Sequence, residues 1–143
     1  MQIFTIGYEG VTQQAVIAAL RGAGVMVLAD IRAVPLSRRP GFSKNILATG
    51  LREAGIDYIG LKALGTPPEG REAARKGNMV RLRDVYASQL ELPEAIFQAA
   101  QLIDLANECP TALLCFERDP AQCHRSLLIE AVMPDAARFD LFP

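Results

Sequence analysis

LLCFERDPAQCHRS, running from Leu113 to Ser126, holds two of the three cysteines and the only histidine of the chain. It identifies the fold class. TALLCFE is a short apolar run rich enough in β-formers to be a buried strand ending in charge. Asp119-Pro120-Ala121-Gln122 then carries the marks of a helix start. Asp is the cap, Pro sits at the first helical position where its missing donor is harmless, and Gln is at the third. A strand followed at once by a helix is the repeating unit of an α/β protein, and the rest of the chain can be parsed from that unit outward.

The same alternation recurs upstream. MQIFTIGYEG is a first strand, and Thr12 caps TQQAVIAALRGAG, whose apolar face ends at Gly22 and Gly24. VMVLADIR is apolar almost throughout, as a parallel strand covered on both faces should be. AVPLSRRPGFSKN is a loop by its prolines. KNILATGLREAG reads as a short helix and IDYIGL as a third strand. KALGTPPEGREAARKGN is the least structured stretch by pattern, with EGREAARK too poor in apolar surface to anchor a helix. MVRLRDVYASQL fits a helix or an irregular segment, ELPEAIFQAAQLIDLANE a helix with Pro93 in its first turn, and ARFDLF a last strand. The order predicts a three-layer α/β/α fold with a mainly parallel central sheet of about five strands.

Length and composition agree with that class. The 143 residues form one expected domain, 1–143, large enough to bury roughly two thirds of the surface of the unfolded chain. Half the residues are apolar, and 15 basic against 16 acidic side chains leave the chain near neutral. That balance argues against a general nucleic-acid coat. Three cysteines make no disulfide scaffold, no charged leader precedes the first strand, and no apolar run approaches the about 20 residues of a bilayer span. A cytoplasmic protein with free thiols, either monomer or homodimer and without a membrane, is the expectation.

Ligands of open α/β sheets bind beyond the carboxyl ends of the strands. Tyr8 lies at one such end, Asp30 and Arg32 at another, and Glu117 at a third. Counted from an Asp119 cap, Cys123 and His124 fall at the fourth and fifth helical positions, and the free backbone donors that follow Pro120 would attract an anion near residues 120–122. Cys123 is placed to react or touch a ligand, His124 to hydrogen-bond or act as a base, and Arg125 to grip an anion or pair with Glu117 or Asp30. Cys115 reads as a small buried hydrophobe in or at the end of the strand. A metal is not expected. The cysteines are eight residues apart, a spacing unlike a compact knuckle, and neighbours on a helix point about 100° apart, which separates Cys123 from His124.

A second patch, Arg32, Arg38, Arg39 and Lys44, faces Asp30 alone within residues 30–44 and suits a phosphate, a nucleotide or a nucleic-acid backbone. Dinucleotide, Walker A, His-Glu-x-x-His and serine-triad signatures are missing, and no cofactor can be named.

TIGYEG (residues 5–10), DIRAVPLSRRPGFSK (30–44), LCFERDP (114–120) and CHRSLL (123–128) together resemble domain-of-unknown-function family 488, over essentially the whole chain and in the family's order. The resemblance implies a compact α/β fold and a shared polar pocket built on Gly7, Asp30, Arg32, Pro35, Ser37, Phe42, Cys115, Glu117, Cys123, His124 and Arg125. Tyr8 stands where members often carry histidine, and Thr66 where a second glycine is frequent.

Three functions remain open on this basis. In the first, an enzyme acts on a small anionic or nucleotide-like substrate, with Cys123, His124, Asp30 and Glu117 as catalytic groups and Arg32, Arg125, Tyr8, Ser37, Arg38 and Arg39 as ligand contacts. The second is a noncatalytic module for nucleic acid or a phosphorylated ligand. The third is a polar cluster that only braces loops.

Overall fold

The computed structural model describes residues 1–143. Five strands, β1 (Gln2–Gly7), β2 (Val27–Asp30), β3 (Asp57–Gly60), β4 (Thr111–Cys115) and β5 (Ala137–Leu141), form one sheet. Their order is β3-β2-β4-β1-β5, and every pairing is parallel. Six helices surround it: α1 (Gln13–Gly22), α2 (Lys44–Glu53), α3 (Pro68–Arg75), α4 (Met79–Leu90), α5 (Pro93–Glu108) and α6 (His124–Val132). The three-layer α/β fold expected from the strand–helix alternation is present. No helix is long and apolar enough to cross a membrane.

The layers follow from handedness. The chain steps from β1 outward to β2 and β3, then returns to insert β4 between β1 and β2 and finishes at β5. Right-handed crossovers place helices on opposite faces for opposite directions of travel. Residues of α1 and α2 pack with Phe4, Ile6, Leu28, Ala112 and Leu114 on one side. Residues of α3 to α6 pack with Ile3, Ala29 and Leu113 on the other. Successive strand residues therefore point into different cores, which is why β2 and β4 read as continuous apolar runs.

Thr12 caps α1 by accepting from the Ala15 amide at 3.1 Å, and Gly24, at φ +75°, turns the chain after it. α3 occupies the stretch that the pattern left least structured, and α4 resolves MVRLRDVYASQL as a helix. α3 is anchored by small residues instead of bulky ones: Gly70 and Ala73 are buried, and a Cβ on Gly70 would lie 2.1 Å from the Thr66 methyl. Absence of a side chain lets the helix close on the core, a contact that a count of apolar residues does not register.

The returning β4 places its carboxyl end between the ends of β1 and β2, and the connection after β4 leaves in the direction opposite to those after β1 and β2. That is the position at which an open α/β sheet forms a crevice.

Candidate functional site

Gly7 ends β1 in direct contact with the segment after β4. A Cβ there would lie 1.9 Å from the Glu117 carbonyl oxygen, so only glycine fits without displacing the main chain. The amides of Tyr8 and Glu9 donate to the Phe116 carbonyl at 3.2 and 2.9 Å, and the Arg118 amide donates to the Glu9 carboxylate at 3.0 Å. These contacts fix the exit of β4 and, with it, Cys115 and Glu117.

Asp119 accepts from the Ala121 amide at 2.9 Å, but it caps only a single 3-10 turn, Pro120–Gln122. The chain then opens to an extended conformation at Cys123 (φ −143°, ψ 176°), and α6 starts at His124. The expected placement of Cys123 and His124 beyond the first helical turn is therefore corrected: Cys123 is itself the cap, its sulfur accepting from the Arg125 amide at 3.4 Å. An extended residue followed by a helical one does not follow the 100° rule. Instead of diverging, Cys123 and His124 converge with Cys115, and the three ligand-type atoms lie within 4.8 Å of one another.

The imidazole is oriented from behind. His124 Nε2 donates to the Ile31 carbonyl at 2.8 Å. A carbonyl only accepts, so the proton belongs on Nε2 and the Nδ1 lone pair faces Cys115 Sγ, 3.7 Å away. The ring of Tyr86 packs edge-on against it at 5.2 Å. The Cys115 thiol donates to the Glu117 carboxylate at 3.1 Å. Cys123 accepts from Arg125 Nε at 2.8 Å. Burial, followed by the hydrogen bond with Cys115, pushes the Cys123 thiol well up, and the opposing pull of Arg125 and His124 is smaller. Burial also raises the Tyr86 phenol, with the two cysteines adding to it.

Beyond β2 the arrangement is of another kind. Asp30 receives Arg32 Nε at 2.8 Å, the second guanidinium nitrogen at 2.7 Å, the Arg32 amide at 3.1 Å and the Tyr58 hydroxyl at 2.5 Å. Arg32 also donates to Tyr8 Oη at 3.2 Å and to the Phe42 carbonyl at 2.7 Å. Burial works against the Arg32 charge, yet Asp30 outweighs it and holds the guanidinium firmly protonated. Burial and Asp30 together raise the Tyr58 phenol above its usual range. Both Asp30 oxygens are thus already engaged within the protein.

These two clusters meet at a cavity of about 460 Å³. Tyr8, Arg32, Cys115, Glu117, Cys123 and His124 line it, as do Arg71 and Arg75 from α3 and the apolar side chains of Val34, Leu36, Leu82 and Phe116. Leu36 is 71% exposed at its mouth.

Some of the residues expected at the site are elsewhere. Arg125 is 1% exposed and does not line the cavity. It pairs with neither Glu117 nor Asp30 side chains, and its guanidinium donates to the Cys123 sulfur and the Glu117 carbonyl. Ser37 accepts from the Arg39 amide at 3.1 Å within its own loop, and Arg39 donates to the Val11 carbonyl at 2.6 Å. Arg38 is exposed, and none of these three lines the cavity. Arg71 and Arg75 were missed from sequence. Their i, i+4 spacing in REAAR was the available signal, since it puts both on one helix face.

A family model described as domain of unknown function DUF488 matches residues 12–132. No curated protein and no solved structure gives a match.

Proposed function

The chain belongs to the DUF488 family, and we propose that it is an enzyme acting on a small anionic or nucleotide-like substrate held in the strand-end cavity. One observation carries this reading. Cys115, His124 and Glu117 come together in the lining of the strand-end cavity, with Cys115 bonded to Glu117, its sulfur against His124 Nδ1, and the imidazole oriented by the distant Ile31 carbonyl. Default expectations for enzyme sites are a concave pocket with few convergent polar groups and a reactive side chain positioned by a neighbour.

The distribution of charge gives the substrate its orientation. Glu117 would repel an anion placed against Cys115, so the anionic end belongs at Arg71 and Arg75 on α3. Arg71 spends one nitrogen on the Thr66 carbonyl at 2.8 Å and keeps the rest of its fork free. Val34, Leu36 and Phe116 offer an apolar surface for the body of a nucleotide-like molecule. The reacting end then faces the Cys115–Cys123–His124 cluster, with half-buried Glu117 available to exchange a proton.

The test is a ligand panel of nucleoside monophosphates and simple phosphate monoesters, followed by thermal shift and then turnover. At least one should raise the melting temperature of the wild type. Arg71→Ala/Arg75→Ala should weaken its binding roughly tenfold or more. Glu117→Gln should lower turnover by about 10²-fold with binding retained. Binding that is indifferent to both arginines, or turnover indifferent to Glu117, defeats the assignment.

A further inference from the structure

We propose that Cys115, Cys123 and His124 form a three-ligand site for a zinc-type divalent transition metal, open on the cavity side next to Glu117. The inference deepens the enzyme reading of the same cavity, but metal binding can be read without any substrate.

One edge of the cluster already has the length that a shared ion requires. With Zn–S near about 2.3 Å and Zn–N near about 2.0 Å at a tetrahedral angle, a sulfur and a nitrogen on one ion stand about 3.6 Å apart. Cys115 Sγ and His124 Nδ1 are 3.7 Å apart. The remaining ligand atoms lie within 4.8 Å, so closing all three on one ion takes a shift of at most about 1 Å at a sulfur. The nitrogen that faces the sulfurs is the unprotonated one. Its partner Nε2 is hydrogen-bonded to a main-chain carbonyl, the support that metal-bound histidines usually have.

Charge points the same way. Two thiols, one carboxylate and one imidazole lone pair converge in a largely buried place, and the single cation touching the sulfurs is Arg125. Without a further cation these groups must keep protons to coexist. A divalent ion replaces two of them: each thiol loses its proton, both protons leave to solvent, and two thiolates with a neutral imidazole balance the 2+ charge. Arg125, donating from its amide and from Nε to Cys123 Sγ, stabilises the thiolate that results. Two sulfurs and a nitrogen select zinc, cobalt and their like over magnesium or calcium. Three protein ligands with a fourth position facing a cavity is the pattern of catalytic sites as opposed to closed structural ones. Glu117 lines the same cavity, and loss of the Cys115 proton frees its carboxylate from the 3.1 Å hydrogen bond it accepts from that thiol.

The experiment is cobalt titration of the full chain, stripped with chelator and kept reduced with a phosphine. One saturable equivalent should produce visible d–d bands and near-ultraviolet thiolate-to-cobalt charge transfer of the strength of two thiolates. Zinc should displace it and magnesium should not. Cys115→Ser and Cys123→Ser should each halve the charge transfer, and His124→Gln should weaken affinity by more than the roughly 10–100-fold of a lost supporting residue. Cys109→Ser should change nothing. The wild-type spectrum decides even if a variant fails to fold: no charge transfer, or the intensity of a single thiolate, overturns the site. A spectrum that survives loss of both Cys115 and Cys123 does so too. The two proposals separate cleanly. A two-thiolate spectrum with ligand binding indifferent to Arg71 and Arg75 upholds the metal and defeats the substrate reading. Arginine-dependent binding without the spectrum does the reverse.

Discussion

The segment after β2 and the segment after β4 both present charged and reactive side chains at strand ends, and both stand out in the sequence. They differ in how completely their polar groups are engaged. Asp30 has both oxygens occupied by Arg32 and Tyr58, and Arg32 spends its remaining reach on Tyr8 and Phe42. Around Cys115, by contrast, a thiol, a second thiol, an imidazole lone pair and a carboxylate face one another with few donors among them. A saturated cluster stores structure, and an unsaturated one is ready for an external partner. The two are joined by one atom. Ile31 lies between Asp30 and Arg32, and its carbonyl orients His124. In this reading Asp30 and Arg32 are positioning residues, acting on the reactive cluster through the backbone they brace.

The largest effect should come from the saturated side. Asp30→Ala leaves a buried guanidinium without its carboxylate and should cost about 3–5 kcal/mol in urea unfolding. A loss below about 1 kcal/mol would erase the distinction between the regions. Gly7→Ala comes next, at about 1–3 kcal/mol, because the new methyl must push the Glu117 main chain aside. It should also weaken ligand and metal binding, since Glu117 and Cys115 leave β4 together. Wild-type binding in that variant would show that the stitching between β1 and β4 does not position the site. Tyr58→Phe removes one donor to a buried carboxylate and should cost about 1.5 kcal/mol by the same measurement. Cys115→Ser should be milder still, about 1 kcal/mol or less in a metal-free protein, while abolishing the cobalt charge transfer of its sulfur. A stability loss matching Asp30→Ala would make Cys115 a structural residue. Arg38→Ala, at an exposed side chain outside the cavity, should stay within about 0.5 kcal/mol and leave ligand binding unchanged. Strong loss of binding there would return the basic loop to the site.

Much of the fold was legible because strand and helix alternate with clear punctuation. Thr12 as a cap, the glycine stops and the two-sided apolar runs of β2 and β4 are local signals, and they survive into the structure. α3 was not legible, since its anchor is the space left by Gly70 under Thr66, which is a property of two surfaces and not of one segment. The site was legible in part. Cys123, His124 and Glu117 were identifiable by their position after a strand, whereas the contribution of α3 required knowing which helix covers that end of the sheet.

Residue types and local spacing thus determined an α/β chain with a polar motif at the end of an inner strand. Tertiary structure alone decided what the motif can do. Asp119-Pro120 is a helix-start signal whichever helix follows, and local rules carry it into α6. Close packing ends that turn early instead, Arg125 drawing the Cys123 sulfur inward and Ile31 drawing His124. Residues adjacent in sequence then converge in space, because the hydrogen bond from His124 to the Ile31 carbonyl just beyond β2 outweighs the small local preference for continuing the helix.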